Sequence, residues 1–329
     1  MINFATIGTN WITDKFIEAG KYNDKFRLYA VHSRSIKKAR EFALKHNAVK
    51  AYSNVHEMAS DPLVNAVYIA SPNSLHCEYS KLFLKNKKHV LCEKPSASNI
   101  HELKSMLECA YENKVLFMEA YKTLAMPGYD FLTEAVRNIG QIRSVLFNFC
   151  QYSSRYDSYL NGAHVNAFNP QFSGGSLMDL GIYCIYPMVS LFGLPEKYYG
   201  NSTLLASGSD CEGSSIFRYK NFTVTLIYSK ASDSYISNQI QGEKGTILID
   251  KISSPQKIDV IYRNGQKKTY ENKCENDMVY EVSEFITCAE KGFMQSNINN
   301  HYLSLSVLDI MDGLRKKANI KYPADSFIN

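Results

Sequence analysis

The sequence predicts an α/β protein in two parts: a doubly wound parallel sheet, then an α+β domain with an open-faced, mainly antiparallel sheet. Up to about residue 120, short apolar runs alternate with segments whose apolar residues have helical spacing, which is typical of a parallel sheet covered by helices. From residue 197 to 271 the chain is mostly strand-like, with turn sequences between strands. We therefore predict one domain over residues 1–121 and a second over residues 122–329.

The individual elements follow from the spacing of the apolar residues. The first domain has predicted strands at 2–8, 26–31, 66–70, 89–92 and 115–119, and predicted helices at 36–45, 75–86 and 99–113. In the second domain a helix over 129–140 leads into the alternating stretch IRSVLFNFCQY, and helices over 277–291 and 302–317 follow the sheet.

Composition and charge exclude several classes of protein. Hydrophobic residues make up 45% of the chain, enough for a packed core. The net charge is only +5 and the basic residues form no block, so no nucleic-acid partner is predicted. We find no leader-like N-terminus and no window suited to a membrane span, so we expect a cytoplasmic protein without membrane contact. The eight cysteines form no C-x-x-C pair, which predicts reduced thiols and no metal site.

The loop after the first strand is a candidate phosphate loop. A glycine at this point lets the backbone approach a phosphate, and the N-terminus of the next helix supplies N–H groups. Of the dinucleotide fingerprint G-x-G-x-x-G, only the first glycine is present; an asparagine, which tolerates left-handed backbone, replaces the second. The alternative is an ordinary strand–helix turn. The residues of this candidate loop are Gly8, Thr9, Asn10, Trp11 and Ile12.

The end of the second strand distinguishes between two cofactors. Sites that prefer NAD(H) carry an acid here, which binds the ribose diol. This chain has Ser33 and Arg34, with Lys38 soon after, and such residues suit the 2′-phosphate of NADP(H). We therefore predict a preference for NADP(H) over NAD(H). The alternative is that Ser33 caps the next helix and Arg34 lies in solvent, although Ser35 can provide that cap.

Polar residues also follow the strand at 66–70. Ser71, Pro72 and Asn73 lie where parallel strands end, which is the edge at which such sheets bind ligands. His76 lies in the first turn of the next predicted helix. It is predicted either to contact the cofactor or to be a surface or capping histidine.

The strand at 89–92 ends in Glu93, Lys94 and Pro95, so these residues reach the same edge. Proline restricts Lys94 to extended backbone. A lysine beside an oxidised nicotinamide has a lowered pKa and can exchange a proton with a substrate hydroxyl, and Glu93 is predicted to orient the amine. The alternative is a surface salt bridge.

A second candidate site follows two glycines, Gly174 and Gly175. Ser176 opens a helix that is apolar on nearly every side, which predicts burial. Asp179 and Tyr183 are four residues apart and share one face of this helix. A buried carboxylate needs a partner, and Lys94 or a substrate hydroxyl would serve. The alternative is a helix cap built from Ser176 and Asp179, with Tyr183 packed in the core.

Taken together, these motifs resemble the Gfo/Idh/MocA family of NAD(P)-dependent oxidoreductases. The matching segments are the Gly8 loop, SRS, SPNSLHCE, CEKPSA, MEAY and GGSLMDLGIYCI, in the family's order. The resemblance implies a Rossmann domain, a catalytic Lys94 and a Glu119 near the cofactor. The family's later motif has a glycine at Ser173 and a histidine at Tyr183. The tyrosine is similar to the glucose–fructose oxidoreductase and dimeric dihydrodiol dehydrogenase types.

The function implied is hydride transfer between NADP(H) and a carbinol or carbonyl carbon of a sugar, polyol or cyclic diol. Lys94 and Tyr183 are expected to transfer the proton, and Asp179 to orient them or to bind a hydroxyl. Two alternatives remain at this point. One is a non-catalytic regulator that senses the dinucleotide, and the other is a reductase of imines or double bonds on the same fold.

The second domain also predicts self-association. Large apolar side chains alternate along its strands, and we expect them on a face of the sheet that has no cover within the chain. Pairing two such faces would bury them, which predicts a homodimer or higher homo-oligomer through this sheet. The residues are Phe217, Tyr219, Phe222, Val224, Leu226 and Tyr228.

Overall fold

The computed structural model describes residues 1–327 as two compact units. Unit 1 combines Met1–Ala125 with Glu275–His301, and unit 2 combines Met126–Cys274 with the chain from Tyr302 onward. The predicted second domain had contained all of residues 122–329. The structure differs because a helix after the sheet buries its apolar face in unit 1, where Phe285 lies 5.7 Å from Phe4 between ring centroids.

The elements are numbered in chain order. The strands are β1 Ile2–Ile7, β2 Phe26–His32, β3 Lys50–Tyr52, β4 Ala66–Ile69, β5 His89–Glu93, β6 Phe117–Ala120, β7 Ile142–Cys150, β8 Lys197–Leu204, β9 Asp210–Arg218, β10 Thr223–Ser229, β11 Asn238–Gly242, β12 Gly245–Ile249, β13 Lys257–Tyr262 and β14 Lys267–Glu271. The α-helices are α1 Trp11–Gly20, α2 Ile36–His46, α3 Val55–Ser60, α4 His76–Lys85, α5 Ile100–Asn113, α6 Pro127–Asn138, α7 Ser154–Leu160, α8 Ile182–Phe192, α9 Met278–Glu290 and α10 His301–Lys317.

Unit 1 contains the predicted parallel sheet, in the order β3-β2-β1-β4-β5-β6. The order reverses between β1 and β4, so a crevice forms at their carboxyl ends. Asn10, Ser35 and Asn99 begin helices by accepting backbone N–H bonds, which places the loops before α1, α2 and α5 at this edge. The predicted doubly wound fold is confirmed.

A buried carboxylate, Asp61, connects the loop after α3 to the neighbouring strands. Its Oδ2 accepts hydrogen bonds from Tyr29 (3.1 Å), Tyr52 (2.6 Å) and Lys50 (2.8 Å), and its Oδ1 accepts one from the Leu63 N–H (2.9 Å). Burial alone would raise the pKa of Asp61, but these donors outweigh it and hold the pKa well below its ordinary 3.8. The network therefore needs the ionised carboxylate.

Replacing Asp61 with alanine is expected to lower the free energy of unfolding by about 2–3 kcal/mol, because the buried Tyr29 hydroxyl loses its acceptor. Since the folded pKa is depressed, the wild-type contribution is present above pH 3.8 and is lost as the pH falls. Urea unfolding at pH 7 and pH 3 measures both effects. The exposed Asp24→Asn serves as control, and an equal loss in the Asp61 variant at both pH values would contradict the ionised network.

Unit 2 contains an eight-stranded sheet in the order β14-β13-β12-β11-β7-β10-β9-β8, counted over the described residues. Only β7 and β10 pair in parallel there; the other neighbouring strands are antiparallel. The mainly antiparallel second sheet is confirmed. The parallel pair matters for the site, because β7 and β10 end at one edge and the antiparallel β9 begins at that edge.

The prediction of which sheet face is apolar was wrong. Phe217, Val224, Leu226 and Tyr228 are at most 1% exposed and belong to the packed face, against which α8 lies. Alternation reveals two faces but not which of them is covered. The opposite face is mixed. Across six neighbouring strands, one row of side chains on this face consists of Tyr199, Ile216, Thr225, Leu146, Gln239 and Leu248.

One segment, Pro170–Phe192, is long and apolar enough to cross a membrane, contrary to the sequence-based expectation. However, 67% of its apolar window is buried inside the protein. That burial is typical of a core helix in a soluble protein, where packing against a sheet replaces contact with lipid.

Candidate active site

The loop after β1 is tied to the end of β4. Gly8 has φ +107°, and a Cβ there would lie 2.6 Å from the carbonyl oxygen of Ala70, so only glycine fits. Asn10 does not adopt the left-handed backbone considered for it, since its φ is −101°. Instead its Oδ1 accepts from the N–H groups of Ile12 and Thr13 at 3.2 Å each, and its Nδ2 donates to Ala70 at 3.1 Å. The asparagine at the position of the fingerprint's second glycine thus acts as the N-cap of α1.

The same loop is open on its outer side. Thr9 is half-buried, and Trp11, the first residue of α1, is 67% exposed. A glycine cradle followed by an accessible helix N-terminus fits a dinucleotide phosphate. Because Trp11 is the chain's single tryptophan, its fluorescence reports directly on this loop.

The end of β2 also fits the predicted cofactor. The cap of α2 is Ser35, whose Oγ accepts from the Lys38 N–H at 3.4 Å. Ser33 is therefore not the cap; it is half-buried, and its N–H donates to the carbonyl oxygen of Tyr52 at 3.1 Å. Arg34 and Lys38 are exposed. A hydroxyl and two cations are therefore available at the point where a 2′-phosphate would lie.

His76 joins two loops at this edge. The alternative interpretation, a surface or capping histidine, is wrong. His76 is 1% exposed, with Nδ1 2.8 Å from the carbonyl oxygen of Pro95 and Nε2 2.9 Å from that of Ser71. Burial lowers its pKa, which favours a neutral ring. Ser71, Pro72 and Asn73 are half-buried and lead into α4 through a 3₁₀ turn.

The backbone that carries Lys94 is held by Glu93. The Glu93 Oε1 accepts from the Tyr68 hydroxyl at 2.5 Å, and its Oε2 accepts from the Lys94 N–H at 3.3 Å. Glu93 thus contacts the backbone of Lys94, and its orienting of the lysine amine stays a prediction. Burial raises the pKa of Glu93, and the Tyr68 bond and the Lys94 charge oppose this. The Lys94–Pro95 bond is cis.

Glu119 lies beneath the same loop. It is 5% exposed, and its Oε1 accepts from the Ser96 N–H at 2.7 Å. Its carbonyl oxygen accepts from Asn299 Nδ2 at 2.7 Å. The bond to Ser96 supports the chain two residues after Lys94. A direct contact between Glu119 and the cofactor stays a prediction.

Sequence reasoning missed a group of charges in unit 1. Asp277 pairs with Lys15 at 2.7 Å and with Lys122. Glu281 is 1% exposed; burial raises its pKa well above the ordinary value, and the charge of Glu93 adds to this. No motif marked these acids, since they come from α9 and the turn before it, after the whole second sheet.

The second candidate site begins with a π-helical turn, Leu177–Gly181, which leads directly into α8. The alternative of a cap by Ser176 is wrong. A different carboxylate, Asp210, accepts from the Leu177 N–H at 2.7 Å. Gly175 has φ +149°, and a Cβ there would collide with Asp210. Wide turns of this kind often occur at functional sites.

Asp179 forms an ion pair with Lys230, a residue that sequence reasoning had not considered. Their ion pair joins the Lys230 Nζ to the Asp179 Oδ2. Tyr183 is half-buried and packs edge-on against Phe149, with ring centroids 5.5 Å apart. The signal for Lys230 was present: it directly follows a strand, as Gly8, Ser33 and Lys94 do.

Comparison with known proteins agrees with this geometry. A model for an oxidoreductase family with an NAD-binding Rossmann fold matches residues 2–121, and a model for the GFO/IDH/MocA C-terminal domain matches residues 134–248. This chain belongs to the Gfo/Idh/MocA oxidoreductase family. The predicted family and fold class are confirmed.

Relatives within the Gfo/Idh/MocA family extend over nearly the full length. The scyllo-inositol 2-dehydrogenase (NADP(+)) of Bacillus subtilis is 47% identical, with 99% of each chain covered. The mouse trans-1,2-dihydrobenzene-1,2-diol dehydrogenase is 29% identical, with 92% of each covered. Among solved structures, a 3-ketoreductase from Actinomadura kijaniata in complex with NADP and TDP-benzene has a TM-score of 0.84 at 19% identity, covering 96% of this chain and 98% of its own.

Proposed function

We propose that this protein is an NADP(H)-dependent oxidoreductase that interconverts a carbinol and a carbonyl on a polyol of the inositol type. The carrying observation is the placement of Lys94 at the carboxyl edge of the sheet that also holds the Gly8 loop, with its backbone held by Glu93. The full-length likeness to an NADP(+)-dependent scyllo-inositol dehydrogenase supports the substrate class and the cofactor.

Residues of unit 1 would bind the cofactor and transfer the proton. The Gly8 loop and the N-terminus of α1 would hold the cofactor's phosphates, and Ser33 and Arg34 its 2′-phosphate. Bound NADP(H) would supply or accept the hydride. The Nζ of Lys94 would hold and move the proton of the reacting hydroxyl, since its backbone is fixed on a rigid strand end.

Within unit 2, Asp179 and Tyr183 would bind the substrate. An ionised carboxylate accepts hydrogen bonds from hydroxyl groups, and a phenol can both donate and accept. Tyr183 is additionally proposed as a proton-transfer group. A polyol offers several hydroxyls, so these groups would select the one that reacts.

Steady-state assays test the proposal. The purified chain is given NADP⁺ with scyllo-inositol, myo-inositol, glucose or trans-cyclohexane-1,2-diol, and formation of reduced cofactor is followed. Turnover of an inositol above the others is expected. If NADPH changes the Trp11 fluorescence while no carbinol is oxidised and no carbonyl reduced, the non-catalytic sensor replaces this proposal. Activity confined to imines or conjugated double bonds favours the other alternative.

We also propose a homodimer formed through the open face of the unit 2 sheet and a cytoplasmic location. For the dimer, Tyr199 is 64% exposed and Ile216 is 51% exposed on this face, and they are cross-strand neighbours.

For the location, all eight cysteines are free thiols, as a reducing compartment requires.

The dimer gives a separate prediction. The wild type is expected to sediment as a dimer at micromolar concentration, and Ile216→Glu as a monomer, because the charge would be buried in the interface. Leu44→Glu, which changes an 81% exposed leucine in unit 1, should leave the dimer intact. A monomeric wild type, or a dimer unaffected by Ile216→Glu, contradicts the proposed interface.

A further inference from the structure

The Asp179–Lys230 ion pair is enclosed on one side only. The Lys230 side chain is 8% exposed, whereas that of Asp179 is 28% exposed. The ammonium also lies 5.1 Å from the ring centroid of Phe168, a residue that is 1% exposed. The cation is therefore surrounded by protein, while part of the carboxylate stays accessible to a ligand.

The sheet topology explains how these groups meet. β7 and β10 are parallel and end side by side, with Ser229 opposite Cys150. Lys230 comes next, and its N–H donates to the carbonyl of Cys211 at 2.9 Å, beside the start of β9. Since β9 begins with Asp210, one sheet edge receives both a lysine and a second acid.

Asp210 is a competing carboxyl group. It is fully buried; its Oδ2 accepts from Leu177, and its Oδ1 has no hydrogen-bond partner within residues 1–327. Burial raises the pKa of Asp210 to about 7, with the charge of Asp179 adding and that of Lys230 opposing. Two carboxyl groups thus lie close to the charge of Lys230.

Three further titratable groups near this cluster do not replace that lysine. Tyr322 and Tyr228 are buried phenols whose pKa values burial raises, so both are neutral at physiological pH. Arg315 stacks on Tyr322 at 4.4 Å but is paired with Asp312 and Asp325.

We propose that Lys230 is a positioning residue that keeps Asp179 ionised and oriented as the acceptor for a substrate hydroxyl. This rests on the proposed function of Asp179 as a substrate-binding group. Without Lys230 the two carboxyl groups repel, and Asp179 takes up a proton at a higher pH. A protonated Asp179 presents a donor where the substrate hydroxyl needs an acceptor.

The first test needs no substrate. The full chain is labelled with ¹³C at the aspartate carboxyls, and the Asp179 signal, assigned by its absence in Asp179→Asn, is titrated with pH. In Lys230→Met its midpoint should rise by about 1–3 pH units, the scale for losing a nearby opposite charge. Adding Asp210→Asn should reverse part of the shift. Lys230→Arg and the exposed Lys220→Met, at the far end of the β9–β10 hairpin, should titrate like the wild type.

The second test uses scyllo-inositol with saturating NADP⁺. For Lys230→Met, kcat/KM should be reduced about 10-fold or more at a pH one unit or more below the new midpoint and recover as the pH rises through that midpoint, while NADPH binding measured by Trp11 fluorescence stays unchanged. Lys230→Gln is the substitute if the methionine variant does not fold. A uniform loss at every pH indicates a merely structural role and overturns the proposal.

The two hypotheses fail separately. An unshifted Asp179 midpoint in Lys230→Met overturns the positioning role, whatever the enzyme does. A wild type that oxidises none of the polyols overturns the proposed function and with it the substrate-acceptor role assigned to Asp179.

Discussion

Lys94→Ala is expected to lower kcat by about two to four orders of magnitude, the range for losing a proton-transfer group. The lysine is carried by a backbone held through Glu93, Glu119 and His76, so removing its side chain beyond Cβ should not move the loop. NADPH binding, measured by quenching of Trp11, should remain near normal. Initial rates with NADP⁺ and scyllo-inositol give the effect.

Lys104→Ala is the matched control, since Lys104 is an exposed lysine on α5 of the same unit. It should have wild-type rates. A Lys94→Ala enzyme that retains more than half of the wild-type activity would show that another group transfers the proton. Loss of NADPH binding in that variant would indicate a role in cofactor binding instead.

Arg34→Ala is expected to weaken use of NADP(H) by about 10- to 100-fold in kcat/KM and to leave use of NAD(H) nearly unchanged. A charge-assisted contact to a 2′-phosphate stabilises the complex by about 1.5–3 kcal/mol, and NAD(H) has no such phosphate. Arg34 is exposed at the end of β2, and Ser35 rather than Ser33 caps α2, so the loop should keep its shape.

Arg27→Ala provides the control, because Arg27 is an exposed arginine at the other end of β2. The comparison uses kcat/KM for both cofactors in all three proteins. A wild type that uses NAD(H) as well as NADP(H), or an Arg34 variant that loses both equally, would contradict the assigned phosphate contact.

The fold of unit 1 could be predicted because its signals are local. Apolar runs such as those of β4 and β5 are buried on both faces, so they read as continuous strands between polar segments. Carboxyl ends of parallel strands share one edge, and this placed the Gly8 loop, Ser71 and Lys94 together without coordinates. The return of α9 to unit 1 could not be predicted, since its apolar face would suit either core.

The faces of the second sheet show a different limit. Alternation along β9 and β10 separated Phe217 and Leu226 from their neighbours on the strand, but burial of that side depends on which helices lie against it. The local sequence pattern does not show which face these helices cover. The open face is therefore more polar than expected, and the proposed dimer relies on Tyr199 and Ile216.

Local pattern was sufficient to determine the family, the two sheets and the residue types at the strand ends, because each of these depends on neighbours within a few positions. The partner of Asp179 was decided by the tertiary structure alone. Lys230 lies 51 positions after Asp179 in the chain, and Asp210 accepts from the N–H of Leu177, which lies 33 positions before Asp210. Only strand order and register bring these residues together. Electrostatic interactions act through space, so the charge state of this site is a property of the folded sheet edge.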